Sequence, residues 1–194
     1  MDQFQGFVVT RSYCKWQEDF GRRETWEECI DRYYDYFGNR FPEIQGEEWD
    51  EIRLSTLNRE VFPSMRALMT AGSAAEVDDT CLYNCSYLPI NTIRSLSDVL
   101  YILCCGTGVG FSCEKNETSQ LPSIPEIVRN TNLVIDVDDS RAGWADSFND
   151  LLSALYGGFH PTWDVSRVRP KGARLKTFGG RASGPDPLEK LFKF

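Results

Sequence analysis

Histidine is almost missing from this chain. Among 194 residues only His160 carries an imidazole, so no serine-histidine-acid set is credible and a zinc site would need thiolates from scattered positions. No Cys-x-x-Cys occurs among the seven cysteines, Cys14, Cys29, Cys81, Cys85, Cys104, Cys105 and Cys113. Their odd number and irregular spacing argue against a disulfide scaffold, and no metal site is expected. Met1 to Phe7 lack the basic-then-apolar pattern of an export signal, so the sequons Asn84-Cys85-Ser86 and Asn116-Glu117-Thr118 are read as unused and the protein as cytoplasmic. No apolar run approaches the ~20 residues that span a bilayer, which removes a membrane partner. No internal repeat or low-complexity segment appears. With 29 acidic against 21 basic residues and a net charge of −8, a long nucleic acid is a poor partner. What remains, 41% hydrophobic and 13% aromatic, describes a folded, soluble domain or a piece of a larger one.

The first sixty or so residues read as helical. Thr25-Trp26-Glu27-Glu28 is a capping box, and Trp26, Cys29, Ile30, Tyr33 and Phe37 then recur at helical spacing until Gly38. A second, less regular pattern carries Trp49, Ile52 and Leu57 and ends before Pro63. Met65 to Ala71 closes on Gly72, and Cys81 to Leu88 alternates Cys81, Tyr83, Cys85 and Tyr87 on one face, which predicts a strand. Ser95, with Asp98 three residues on, opens a helix carrying Leu96, Val99, Leu100 and Leu103. That helix runs into Gly106-Thr107-Gly108-Val109-Gly110 and a strand at Phe111 to Cys113. Asn132 to Val137 reads as another strand. Asp139 or Ser140 caps a long helix with Trp144, Phe148, Leu151, Leu152, Leu155 and Tyr156 on its face, ended by Gly157-Gly158. Strands alternating with helices predict an α/β fold with parallel strands. At the end Asp186 is a good N-cap, Pro187 suits the first helical position, and Leu188, Leu191 and Phe192 begin an apolar face. A helix that has barely started when the sequence stops suggests the N-terminal part of a longer fold, with a short docked C-terminal helix as the plainer alternative.

Three features could carry chemistry. Between Val165 and Ala182 stand Arg167, Arg169, Lys171, Arg174, Lys176 and Arg181 with no acidic residue, interleaved with Gly172, Gly179 and Gly180. Cations beside exposed backbone N–H groups suit a phosphate, and a nucleotide fits better than a polymer. A solvated basic loop is the plainer alternative. The Gly106 to Gly110 run has the wrong spacing and follows a helix, so it is not a dinucleotide fingerprint. Its glycines still let the backbone at Gly108 and Gly110 come close to a sugar or base, although a tight helix-to-strand turn explains it as well. Cys85 sits mid-strand, where a side chain can point into an enclosed site, although most such cysteines are small core residues. On an extended strand Cys81 lies roughly 13 Å away, too far for a disulfide with Cys85.

Four stretches taken in order resemble one family. They are Pro63-Ser64-Met65-Arg66-Ala67-Leu68-Met69-Thr70-Ala71-Gly72, Tyr83-Asn84-Cys85-Ser86-Tyr87-Leu88-Pro89, Gly106-Thr107-Gly108-Val109-Gly110-Phe111-Ser112, and Arg169-Pro170-Lys171-Gly172-Ala173-Arg174 through Phe178-Gly179-Gly180-Arg181-Ala182-Ser183-Gly184-Pro185. The set is similar to the N-terminal half of the catalytic subunit of adenosylcobalamin-dependent, class II ribonucleotide reductase, most of all the monomeric triphosphate-reducing type. The resemblance implies a helical region over 1–62. It implies over 63–194 the first half of a ten-stranded α/β barrel. It implies that Cys85 is the first cysteine of a reducing pair, with Asn84, Ser86 and Gly108 beside the ribose. Lys171, Arg174, Lys176, Gly179, Gly180, Arg181 and Ser183 would form the loop that relays a deoxynucleoside triphosphate effector to the substrate base, with Asp98 near the effector. The partners implied are a ribonucleotide substrate, that effector, the C-terminal half of the reductase and a thioredoxin-like reductant.

The finger-loop signature Asn-x-Cys-x-Glu, the second reducing cysteine, the surface that mainly binds adenosylcobalamin and the cysteine-containing tail are absent, so this polypeptide alone is not expected to turn over. The sixty residues before Pro63 are too few for an ATP-binding cone. The Cys104-Cys105 pair has no role in this reading. The competing expectation is a free-standing deoxynucleotide-binding or regulatory remnant without catalysis. A class I relative with an iron-containing partner subunit fits the motif details less well.

Overall fold

The structure, a computed structural model, describes residues 2–44, 46–175 and 179–194. Two compact units emerge, one built on Met1–Tyr83 and the other on Asn84–Leu175 with Gly180–Phe194.

The first unit is helical. Asp2 accepts the Gln5 N–H at 2.7 Å and the Gln5 side chain returns the bond at 3.1 Å, opening α1 (Gln3–Ser12), in which no residue is buried. A short antiparallel pair, β1 (Trp16–Gln17) and β2 (Arg22–Arg23), follows. The expected capping box is present: Thr25 and Glu28 cap each other's backbone at the start of α2 (Trp26–Arg40). Gly38 does not stop this helix. It lies buried within it, and the chain turns off only after Arg40. Then come α3 (Glu47–Leu57), α4 (Met65–Thr70) and α5 (Ser73–Val77). Cys29, Ile30, Tyr34 and Leu68 form the core with Cys14, under Trp26, Tyr33, Trp49 and Leu57. Inside it, the Tyr34 hydroxyl and Thr56 Oγ1 share a 2.8 Å hydrogen bond.

The strand expected over Cys81 to Leu88 is shorter. Asp78 accepts the Thr80 N–H at 2.7 Å and caps a 3-10 turn, Asp79–Leu82. Cys81 therefore sits fully buried against Ala74 and Ala75 and shares no strand face with Cys85.

The second unit is α/β with parallel strands, as the alternation predicts. β3 (Cys85–Pro89) and β4 (Gly108–Ser112) pair in parallel across α6 (Ile93–Cys104), and α7 (Lys115–Thr118) leads away. β5 (Arg129–Asp136) and β6 (Phe159–Asp164) pair in parallel across α8 (Arg141–Tyr156). α6 is capped by Thr92, whose Oγ1 accepts the Ser95 N–H at 3.1 Å, rather than by Ser95. Its glycine-rich exit is not a turn into a later strand, because Gly108 and Gly110 are strand residues themselves. β6 is not visible to the sequence reading. α9 (Asp186–Lys193) is capped from Pro185, one residue before the expected Asp186, and carries Leu188 and Phe192 into a core of Ile135, Val137, Leu151 and Val168. Phe192 stacks on Phe148 at 6.2 Å between ring centroids and meets Trp163 edge-on at 5.4 Å.

Candidate functional site

The β3–β4 ladder decides where the predicted thiol sits. Cys85 is opposite Gly108 and Ser86 opposite Val109. Gly108 donates its N–H to the Asn84 carbonyl at 2.8 Å, and Ser86 Oγ donates to the Gly108 carbonyl at 3.2 Å. Four of the predicted residues, Asn84, Cys85, Ser86 and Gly108, thus form one hydrogen-bonded patch at the start of both strands. Asn84, Cys85 and Gly108 are exposed. A Cβ placed on Gly108 would stand 3.4 Å from the Asn84 carbonyl oxygen, and one on Gly110 would stand 3.7 Å from that of Ser86. Glycine at these places keeps the backbone beside Cys85 bare, so a ligand can come against it edge-on. All seven cysteines are free thiols.

The remaining predicted residues lie on other elements of the chain. Asp98 is on α6, where Arg94 Nε donates to it at 3.0 Å and the same guanidinium reaches Asp146 of α8 at 3.1 Å. The expected effector loop is an antiparallel ribbon: Gly172 N–H donates to the Ala182 carbonyl (2.8 Å), Ala182 N–H to Ala173 (2.7 Å) and Leu175 N–H to Gly180 (3.1 Å). Lys171, Arg174, Gly179, Gly180, Arg181 and Ser183 are exposed. Arg181 Nη1 donates to the Gly172 carbonyl at 3.1 Å, which ties its guanidinium along the ribbon. Lys176 lies outside the described residues. At the base of the ribbon Gly184 has φ +77°, and a Cβ there would stand 2.9 Å from the Lys171 nitrogen, so glycine is required for the ribbon to close.

One of the basic residues differs from expectation. Arg169 is not free for an anion, because its Nε donates to Asp139 Oδ2 at 2.7 Å and its Nη2 to the Asp139 carbonyl at 3.3 Å, at the entry to α8. Arg167 is exposed, and its charge helps hold the nearby Asp164 carboxyl below the usual carboxylate range, after the larger effect of the Ser166 N–H and hydroxyl. The Cys104-Cys105 pair also gains a description: Cys105 is fully buried and accepts from Arg141 Nη1 at 3.1 Å, while burial pushes the Cys104 thiol up. Of the residues that sequence reasoning passed over, Arg94 was detectable from its spacing of four to Asp98. The Asp139 to Arg169 pair was not, since it joins positions far apart in the chain.

The bare-backed parallel pair with an exposed thiol first defines a class, a mixed α/β fold presenting a cysteine at a strand end. Comparison with known proteins then supplies a likeness. Residues 123–193 match the model of the insertion domain of B12-dependent ribonucleotide reductase. The adenosylcobalamin-dependent ribonucleoside-triphosphate reductase of Euglena gracilis is 26% identical over 208 aligned residues, covering 96% of this chain and 28% of its own. The enzyme of the same name from Lactobacillus acidophilus is 23% identical over 253 aligned residues, covering 94% of this chain and 34% of its own. A crystal structure of a B12-dependent, class II ribonucleotide reductase superposes with a TM-score of 0.72 at 22% identity, over 97% of this chain and 36% of that one. The chain is thus similar, over nearly its whole length, to the adenosylcobalamin-dependent, class II ribonucleotide reductases. It spans about a third of the length of the curated relatives it matches.

Proposed function

We propose that this chain is the N-terminal part of a ribonucleotide reductase that makes 2′-deoxyribonucleotides by thiyl-radical chemistry, and that it is inactive without the remainder. The observation that carries the reading is the pairing of Cys85 with Gly108. An exposed thiol stands beside a stretch of backbone without side chains, which is what a ribose needs in order to lie against a reducing sulfur. In this reading Asn84 and Ser86 bind and orient the sugar, and Cys85 is one of two cysteines that supply electrons to C2′. The balance is a ribonucleotide and two thiols giving a deoxyribonucleotide, one disulfide and water, after which a thioredoxin-like dithiol restores the pair. The second cysteine belongs to the remainder.

The ribbon of Lys171, Arg174, Gly179, Gly180, Arg181 and Ser183 reads, together with Lys176 of the same stretch, as the specificity loop for a deoxynucleoside triphosphate, with Asp98 close to the effector. Exposed cations beside bare backbone support this role. The boundary between a helical region, 1–62, and a barrel half, 63–194, belongs to the same proposal, as does completion of a ten-stranded barrel. Support comes from the apolar side chains that stand exposed on the strands, Tyr87, Phe111, Leu133, Val134 and Phe159, which further protein would cover. A cytoplasmic location accords with this reading, and no helix among the described residues is long and apolar enough to cross a membrane.

No group of three or more histidine, cysteine and carboxylate side chains that could hold a metal ion gathers among the described residues. Adenosylcobalamin would bring its cobalt already held in the corrin ring, and this reading assigns its binding mainly to the remainder. The test is reconstitution: the chain mixed with, or joined to, the matching remainder of a class II reductase, supplied with adenosylcobalamin and a dithiol, should convert ribonucleoside triphosphates, while each part alone should not. A reconstituted protein that binds deoxynucleoside triphosphates but forms no deoxynucleotide would replace this reading with a regulatory remnant.

A further inference from the structure

In the helical unit two thiols share one buried site. Cys14, 2% exposed, follows α1, and Cys29, fully buried, is in the first turn of α2. Their surroundings are reciprocal. Cys14 Sγ is 3.7 Å from the Thr25 carbonyl, one turn before Cys29, and Cys29 Sγ is 3.5 Å from the Tyr13 carbonyl, the residue before Cys14. Because the Thr25 carbonyl also accepts the Cys29 N–H, each sulfur lies against the backbone turn that carries the other. Arg32 Nη2 stands 3.4 Å from Cys29 Sγ and 3.3 Å from the Tyr13 carbonyl, and its guanidinium is fixed by Glu24 at 2.8 and 3.0 Å. The guanidinium is thus held against the Cys29 sulfur.

We propose that Cys14 and Cys29 are a redox-active dithiol that a peroxide closes into a disulfide, stapling the start of α2 to the segment that precedes β1. Cys14 is the attacking sulfur. The neighbouring Cys29 side chain pulls its thiol below the ordinary cysteine range, with Arg32 and Arg23 adding to the effect against burial and Glu24. The same closeness and burial push Cys29 up. The Cys14 thiolate attacks one peroxide oxygen, the O–O bond breaks, and Cys14 becomes a sulfenic acid as the other oxygen leaves as water. Cys29 sulfur then attacks Cys14 sulfur and gives up its proton, and the sulfenic oxygen leaves as the second water. Two thiols lose two electrons in all, and peroxide gains them. Access comes through α1, which buries none of its residues and can open locally at small cost.

The test is peptide mapping of the whole chain. After hydrogen peroxide, alkylation and digestion, the account expects the Cys14 and Cys29 peptides joined, two hydrogens lighter, and separated again by dithiothreitol. The joined form should melt about 5–10 °C higher because segment 15–28 is closed in the unfolded chain. The same treatment in urea should scatter crosslinks among all seven cysteines. Recovery of Cys14 and Cys29 as separate alkylated or sulfinic peptides from folded protein would overturn the proposal. No variant is needed, so misfolding of Cys14→Ser cannot obscure the outcome.

Discussion

Cys85 and Gly108 face each other across a parallel ladder, and the hydrogen bond from Gly108 N–H to the carbonyl of Asn84 fixes that register at 2.8 Å. The site depends on what Gly108 lacks as much as on what Cys85 carries. A methyl group at Gly108 would stand 3.4 Å from the Asn84 oxygen, an ordinary contact. Gly108→Ala should therefore leave stability within about 1 kcal/mol in urea unfolding. In a reconstituted reductase the same methyl would occupy the ground where the sugar must lie and lower kcat/KM about tenfold or more, roughly 1.4 kcal/mol. An unchanged kcat/KM would show that nothing approaches that backbone.

The acid side of the stability curve should report Glu28. Its carboxylate, bonded to Arg22 at 2.7 and 2.8 Å and to the Thr25 N–H, is held down to about 2, with the Arg22 hydrogen bonds the largest cause. A carboxyl whose folded value lies below its unfolded one stabilises at pH above the unfolded value, and that contribution is lost as pH falls toward 2. The helical unit should accordingly weaken between about pH 5 and pH 2. Glu28→Gln, which can still accept from Thr25, should flatten that slope in urea midpoints measured across the range. Identical slopes for the two proteins would remove Glu28 from the account.

Phe192 anchors α9 by stacking on Phe148 and meeting Trp163 edge-on, and it is 7% exposed. Phe192→Ala should cost about 3–5 kcal/mol and free α9. Calorimetry with hydrogen exchange over Asp186–Lys193 checks both effects. A loss under about 1 kcal/mol would mean that α9 docks without Phe192.

Much of this arrangement was legible in the residues, and the failures have local causes. α2 and α8 were readable because Thr25 with Glu28 and Ser140 with Gly143 are caps whose bonds close within three residues. The start of α6 was misplaced because Thr92 and Ser95 both offer hydroxyls, and they bond each other at 2.9 Å. β6 was hidden by Pro161, which argues against a strand. The ladder accommodates it by shifting register between Asn130 and Val134 on β5, opposite that proline. α1 has no buried residue, so no apolar stripe marked it. The patch of Asn84, Cys85, Ser86 and Gly108 came from a family resemblance and not from spacing, since a parallel register joins residues that the sequence separates by a whole helix. The closeness of Cys14 and Cys29 was invisible because the chain between them folds back through the β1–β2 pair.

The central claim is that Cys85 supplies reducing electrons. In the reconstituted reductase with adenosylcobalamin, substrate and a thioredoxin-like dithiol, deoxynucleotide formed per enzyme should be counted for the wild type and for Cys85→Ser. The account predicts sustained turnover in the first and no deoxynucleotide in the second, whose single remaining thiol cannot supply both electrons, with nucleotide binding retained. Multiple turnover by Cys85→Ser at the wild-type rate would contradict it.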